Sequence, residues 1–302
     1  MCYLLYTIYL ILNRIMANLK ELRNRIKSVS STMQITSAMK MVSAAKLSKA
    51  QDAIQSMRPY SEKLTELLQS LSASLEGEQA SPFSTERTVE KVLVVAISSN
   101  RGLAGAFNTN IIKASKALVN EIYTDKKVDF ITLGKKANDI ISKENTIIEN
   151  DNTIFDELTF DNSAKIAEKL MSFYLEGTYD KIVLVYNQFI NAATQNVARE
   201  QFLPLVQAEE STEEVASDYI FEPSKEEIIE ELIPKSLKVQ FYKALRDSFA
   251  SEHGARMTAM HKATDNATEL RDSLKLSYNK ARQAAITNEI LEIVGGAEAL
   301  NN

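Results

Sequence analysis

The sequence predicts an α+β or α/β protein: a long antiparallel coiled coil of its N- and C-terminal helices, with a central Rossmann-like α/β domain between them. Three observations predict it. The stretch from Ala255 to Val294 contains no Gly and no Pro, and carries small or apolar residues at alternating spacings of three and four. A matching pattern runs from Met16 to about Ser74. Between them, β-branched runs alternate with helical periods, as in a parallel sheet covered by helices.

Residues 1–15, MCYLLYTIYLILNRI, stand apart from the pattern that follows. The apolar run is too short to span a bilayer, and it has neither the leading positive charge nor the small-residue cleavage site of a signal peptide. The segment reads as an upstream extension, with the structural pattern starting at Met16.

Residues 16–76 read as the first coiled-coil helix. Leu19, Ile26, Met33, Leu47, Ile54 and Leu68 share one heptad position, and Leu22, Val29, Ala50, Met57, Leu64 and Leu71 share the other. The seam turns small or polar at Thr36, Lys40 and Ser43, and Pro59 is expected to kink or break the helix. Residues 77–88 form a Ser/Thr/Pro/Glu-rich linker.

Residues 89–235 read as the α/β head. Lys91 to Ile97 is a continuous apolar strand of the kind buried on both faces. A glycine-containing loop, Ser98 to Asn108, leads to a helix at about 109–123. Further strands are expected at 128–133, closed by Gly134, and at 181–187, with helices ending at Ser142 and covering 162–176. A last strand, 196–205, is expected to run antiparallel to its neighbour. The segment 207–231 is acidic, with Lys225 as the one base from Glu209 onward.

Residues 236–302 read as the second long helix. Its seam is placed at Met260, Ala263, Ala267, Leu270, Leu274, Ser277, Ala281 and Ala284. A helix of about 60 residues rising ~1.5 Å each spans on the order of 90 Å, a length suited to a mechanical or spacing task.

Several function classes are disfavoured. Cys2 is the only cysteine, so no disulfide framework or Cys-based metal site is available. His253 and His261 are eight apart with no third ligand in register. Gly102 and Gly105 follow a strand, yet neither G-x-G-x-x-G nor G-x-x-x-x-G-K-[ST] is present, so they read as a tight turn with close strand–helix packing. No cofactor, metal or catalytic residue is assigned. The bases Arg14, Lys20, Arg23, Arg25, Lys27, Lys40, Lys46 and Lys49 face Glu21 alone, which suits either a solvated face or entry into an acidic collar. No aromatic residues interleave with them as in a nucleic-acid surface.

Two long motifs and a loop then carry a family likeness. The run from Met16 to Gln51, ANLKELRNRIKSVSSTMQITSAMKMVSAAKLSKAQ after the methionine, strongly resembles the N-terminal helix of the γ subunit of F-type ATP synthases. Ala255 to Leu300 resembles that subunit's C-terminal signature. The loop Ser99 to Asn108 is similar to the family's strand–loop motif, with Asn100 where the family usually has Asp. The likeness covers nearly all of 16–300 and is weakest after Gln207.

The resemblance implies a non-catalytic central-stalk rotor. It would couple proton or sodium flow to ATP synthesis or hydrolysis by turning inside a ring of α and β subunits. Its other partners would be the ε subunit and the membrane c-ring, with no nucleic acid, in a hetero-oligomer peripheral to the cytoplasmic face of the bacterial inner membrane. Arg282, Gln283, Thr287 and Glu289 match the family's polar contact with a catalytic-subunit loop; as residues alone they read as an exposed helical face. Ile286, Ile290, Ile293 and Val294 suit a bearing inside an apolar sleeve, or an ordinary core. Tyr219, Phe221 and Glu222 match the segment that rests on the membrane ring. The alternatives are a nucleotide-binding enzyme using the Gly102/Gly105 loop and a coiled-coil scaffold unrelated to ATP synthase.

Overall fold

The computed structural model describes residues 2–73, 82–85, 87–205 and 225–300. The chain divides into two compact units, 42–258 and 1–41 with 259–302. Helices α1 (Cys2–Ala73) and α5 (Lys225–Leu300) contribute to both. Pro59 does not end α1: the proline is exposed, so water can satisfy the carbonyl one turn back that loses its backbone partner.

The unit 42–258 is built on a sheet of β1 (Lys91–Ile97), β2 (Lys127–Leu133), β3 (Ile147–Asp151), β4 (Lys181–Phe189) and β5 (Gln195–Leu203). The strand order is β3-β2-β1-β4-β5, parallel except that β5 is antiparallel to β4. Strand β3 was not expected. Its sequence, IIEND, carries only two β-branched residues ahead of three polar ones, and its burial is intermediate because it lies at the sheet edge.

Alternation along β1 separates two cores. Leu93, Val95 and Ile97 face a layer formed by α4 (Phe160–Leu175) and the first part of α5, including Leu170, Tyr174, Leu237 and Phe241. Val92, Val94 and Ala96 face α2 (Phe107–Ala117) and α3 (Lys135–Ile141) through Ile111, Ala114, Ala137 and Ile141. Helix α2 runs on into a π-helical turn, Leu118–Ile122. Helix α4 starts where the Thr159 side chain accepts from the Asn162 amide. A smaller cluster joins Leu47, Ala50 and Ile54 of α1 to Phe249 and Ala250 of α5, with Phe189 and Ala192.

Within this unit His253 is 4% exposed, and neither ring nitrogen has a hydrogen-bond partner among the described residues. Burial, reinforced by the positive charges of Arg256 and Lys46, lowers its pKa to about 3. An unfolded histidine titrates near 6.5, so between these values the unfolded chain binds the extra proton. The stability contributed by neutral His253 is therefore complete above about pH 6.5 and is lost as pH falls, by up to about 1.4 kcal/mol per pH unit. Urea unfolding at pH 7 and pH 5 is expected to show this loss. His253→Leu should flatten it.

The other unit is an antiparallel helix pair. The Thr36 and Thr264 hydroxyls lie 2.8 Å apart, Arg23 donates to the Tyr278 hydroxyl at 2.8 Å, and Arg271 donates to the Met33 sulfur at 3.3 Å. Residue numbers rise on one helix as they fall on the other. On α1 the least exposed positions, including 19, 22, 26, 29, 33, 36 and 40, follow the expected seam. On α5 one heptad position agrees (Met260, Ala267, Leu274, Ala281) and the other is shifted by one residue. Thr264, Arg271, Tyr278 and Ala285 turn inward, while Leu270 is 51% exposed and Ser277 and Ala284 are also exposed. Polar side chains hold these positions by hydrogen bonding, a role hydrophobic periodicity does not register.

Candidate functional site

A Rossmann-like sheet binds ligands where neighbouring parallel strands send their connections in opposite directions, outside their carboxyl ends. Here that place lies between β1 and β4. Residues of α5 fill it. The Ser251 hydroxyl donates to the Asn187 carbonyl at 2.9 Å, and the Asn187 amide donates to the Phe107 carbonyl at 3.2 Å. Ala104, Phe107 and Ala255 form a buried cluster. Arg256 Nη2 donates to the carbonyls of Arg101 (3.1 Å) and Gly102 (3.4 Å). The loop thus presents carbonyls to a guanidinium instead of amides to a phosphate, contrary to the nucleotide-binding alternative.

The two loop glycines differ in purpose. Gly105 has φ 58, the left-handed backbone of the tight turn. A Cβ on Gly102 would meet nothing within 4 Å, so close packing does not explain that residue. Gly134, at the end of β2, supplies the close approach: with φ 101, its Cβ would lie 2.2 Å from the Ser98 carbonyl oxygen. Asn100 joins the loop to its neighbours, accepting from the Lys135 amide at 3.1 Å and donating to the Asn152 carbonyl at 2.6 Å. An aspartate could accept but has no proton to donate when ionised.

The second candidate surface is the C-terminal end of α5. Side chains from 286 to 298 are all exposed, as are Arg282 and Gln283. Ile286, Ile290, Leu291, Ile293 and Val294 are 47–67% exposed, so these apolar groups form no core among the described residues. At 100° per residue, Gln283, Thr287, Ile290 and Val294 share one face, and Arg282, Ile286, Glu289 and Ile293 lie beside it. The first stripe lies opposite the half-buried Ala281 and Ala285, and the second lies between that stripe and Ala285. Among the described residues, no hydrogen bond or ion pair engages the side chains of Arg282, Gln283, Thr287 or Glu289. Tyr219, Phe221 and Glu222 lie outside the described residues, as does 206–224 of the acidic segment.

Sequence reasoning passed over Ser251 and Arg256 because their partners are backbone carbonyls, which leave no mark in side-chain patterns. The oddity of one arginine in the small-residue run Gly254-Ala255 was the available signal.

A family model described as ATP synthase matches residues 18–300. The ATP synthase gamma chain of Christiangramia forsetii is 71% identical over 286 residues, covering 95% of this chain and all of the relative. The chain belongs to the ATP synthase gamma chain family. The gamma chain of Flavobacterium johnsoniae is 69% identical over the same length, and that of a Geobacter species (strain M21) is 44% identical over 286 residues, covering 94% of this chain and 99% of the relative. Among solved structures, a chain of the Euglena gracilis mitochondrial ATP synthase in rotational state 3 shares the fold with a TM-score of 0.70 and 24% identity, covering 94% of this chain and 95% of that one. A chain of the rotor of the same enzyme in rotational state 1 gives a TM-score of 0.65 and 23% identity, covering 89% and 99%. The long helices flank the α/β sheet in sequence.

Proposed function

We infer that this chain is the central rotor of an F-type ATP synthase, and that it couples transmembrane ion flow to ATP synthesis or hydrolysis by turning within a ring of α and β subunits. The observation that carries this reading is the family match over 18–300, together with gamma chains about 70% identical over their full length. The chain acts without an active site of its own, a reading supported by the crevice that α5 occupies. No helix among the described residues is long and apolar enough to cross a membrane. Attachment to the cytoplasmic face of the membrane then comes through the c-ring and the ε subunit, with Tyr219, Phe221 and Glu222 resting on the ring.

The coupling rests on asymmetry. One shaft meets three chemically identical catalytic subunits with three different faces, and a contact biases a site only if it differs between that site's states. Arg282, Gln283, Thr287 and Glu289 supply hydrogen-bonding groups for a catalytic-subunit loop. Ile286, Ile290, Ile293 and Val294 form an apolar bearing. Their exposure, and the absence of hydrogen-bond or ion-pair partners for the polar four among the described residues, support these roles.

The deciding experiment compares the purified chain with the chain added to α and β subunits. The chain alone is expected to turn over no ATP and to confer cooperative turnover on the reconstituted ring. Steady hydrolysis by the isolated chain would overturn the reading.

A second measurement addresses the tip. Gln283→Ala or Thr287→Ala each removes a neutral hydrogen bond worth about 1 kcal/mol. Each should slow coupled turnover by up to about fivefold while assembly survives. Asp272→Ala is the control. Its carboxylate is exposed and bonded to Arg271, so its loss should be nearly silent. Unchanged synthesis and hydrolysis in both tip variants would remove these residues from the coupling path.

A further inference from the structure

Arg256 is the only buried arginine among the described residues, and its guanidinium is divided between two elements. Nη1 pairs with Glu252, one turn back on α5 and also buried. Nη2 donates to the carbonyls of Arg101 and Gly102, on the loop that follows β1. The pair is not a solvated surface ion pair. Withdrawing either partner would leave the other's charge buried and unmatched, which makes the arrangement costly to break.

The loop needs such a fastening. Leu103 has φ 63 and is 66% exposed. A leucine keeps that left-handed backbone only where its surroundings fix the chain, because its own side chain packs against little. On the sheet side the loop is fixed by Asn100, bonded to the Lys135 amide and the Asn152 carbonyl, and by the Ser98 hydroxyl, which accepts from the Ala137 amide at 2.9 Å. On the α5 side Arg256 holds the two carbonyls directly before Leu103. Other polar ties from this part of α5 reach β4 and the turn after it: Ser251 to Asn187, and Thr258 to the Ala192 carbonyl at 3.2 Å. Both are neutral hydroxyl bonds. The charge-assisted bonds from Arg256 are the stronger class, and they reach the β1 side.

We propose that Arg256 is a positioning residue of the rotor, clamping the loop 100–105 to α5 so that the sheet and this part of the helix turn as one body. Torque delivered to a sheet reaches a helix packed on it only through contacts that resist sliding. Apolar contacts such as Ala104–Phe107–Ala255 are non-directional, whereas a buried guanidinium bonded on both sides fixes one register between loop and helix. The proposal rests on the rotor reading. It adds a point at which force passes between the two elements.

The test uses Arg256→Lys. The ammonium keeps a positive charge beside Glu252, which protects folding, but it is a compact point charge without the planar fork that spans carboxylate and carbonyls. In the complete enzyme reconstituted into vesicles, ATP hydrolysis and ATP-driven ion uptake are measured together. Hydrolysis should persist while the ratio of ions moved to ATP hydrolysed falls severalfold. In the isolated full chain, the amides of Ser99 and Phe107, hydrogen-bonded to Asn108 Oδ1 and the Ala104 carbonyl, should exchange about tenfold faster. Unchanged exchange would show that Arg256 does not hold the loop, and would overturn the proposal whether or not the variant assembles. Faster exchange with an unchanged ratio would overturn the clamp as a coupling element. Failure of the rotor reading looks different: the unsubstituted chain would then confer no turnover on the ring.

Discussion

ATP turnover falls to background when a thiol at Gly102 is bonded to a facing thiol on a ring subunit, and reductant restores it in full. Cys2 is the only native cysteine, so Cys2→Ser with Gly102→Cys leaves one thiol in the chain. The site tolerates it: Gly102 is exposed, and a Cβ there meets nothing within 4 Å. Ser99, three residues earlier, would not serve, because it is fully buried with its hydroxyl donating to the Arg101 carbonyl. The effect is large because a covalent tie between rotor and ring blocks every rotation. A tie at the tip, through Ile290→Cys, should inhibit less completely. Gly295 and Gly296 each weaken the last turns by about 1 kcal/mol, so the helix end can unwind and let the rest turn. Full turnover with the Gly102 tie verified would rule out a turning shaft.

Gly134→Ala should be strongly destabilising. The added Cβ would stand 2.2 Å from the Ser98 carbonyl oxygen and 2.8 Å from its carbon, in a backbone with φ 101 that L side chains rarely adopt. Relief would require β1 and β2 to part at their carboxyl ends, where the Ser98 amide donates to the Leu133 carbonyl at 2.8 Å. Clash and strain together should cost about 4 kcal/mol or more. At roughly 2–4 °C per kcal/mol for a unit of this size, the unfolding midpoint falls by about 8–16 °C. Gly102→Ala, with open space and no positive φ, is the paired control and should leave the midpoint nearly unchanged. Equal midpoints for the two variants would refute this account of Gly134.

The parts of the fold legible from sequence were those written in apolar periodicity. The α1 seam through Leu19, Ile26 and Met33 was readable because its knobs are apolar, and β1 because six of its seven residues are buried. The α5 seam was half readable. Leu270 attracted the assignment that belongs to Arg271, whose guanidinium donates to the Met33 sulfur. Strand β3 was missed because an edge strand with one neighbour need not be apolar. At the tip, position and exposure were readable, while the roles of Arg282, Gln283, Thr287 and Glu289 came from family likeness. Nothing in a helical face says what it touches. The clamp at Arg256 was invisible for a different reason: its acceptors are main-chain carbonyls at 101 and 102, which every residue except in its conformation offers alike.

Around Thr36 and Thr264 the seam between α1 and α5, in the unit 1–41 with 259–302, turns small and polar, and this has a mechanical consequence. Alanine and threonine at a helix interface permit closer axes than leucine does. When a two-stranded rod is twisted, each strand is stretched in proportion to the square of its distance from the common axis. The rod is therefore torsionally softer where its knobs are thin than at Leu19, Ile26 and Leu274, and that stretch winds through a given angle with less strain on its backbone hydrogen bonds. Discrete ties at Arg23–Tyr278, Met33–Arg271 and Thr36–Thr264 keep the strands from slipping lengthwise while they wind. Such a pair can store energy between discontinuous steps at one end and release it smoothly at the other, as a spring does in a drive train.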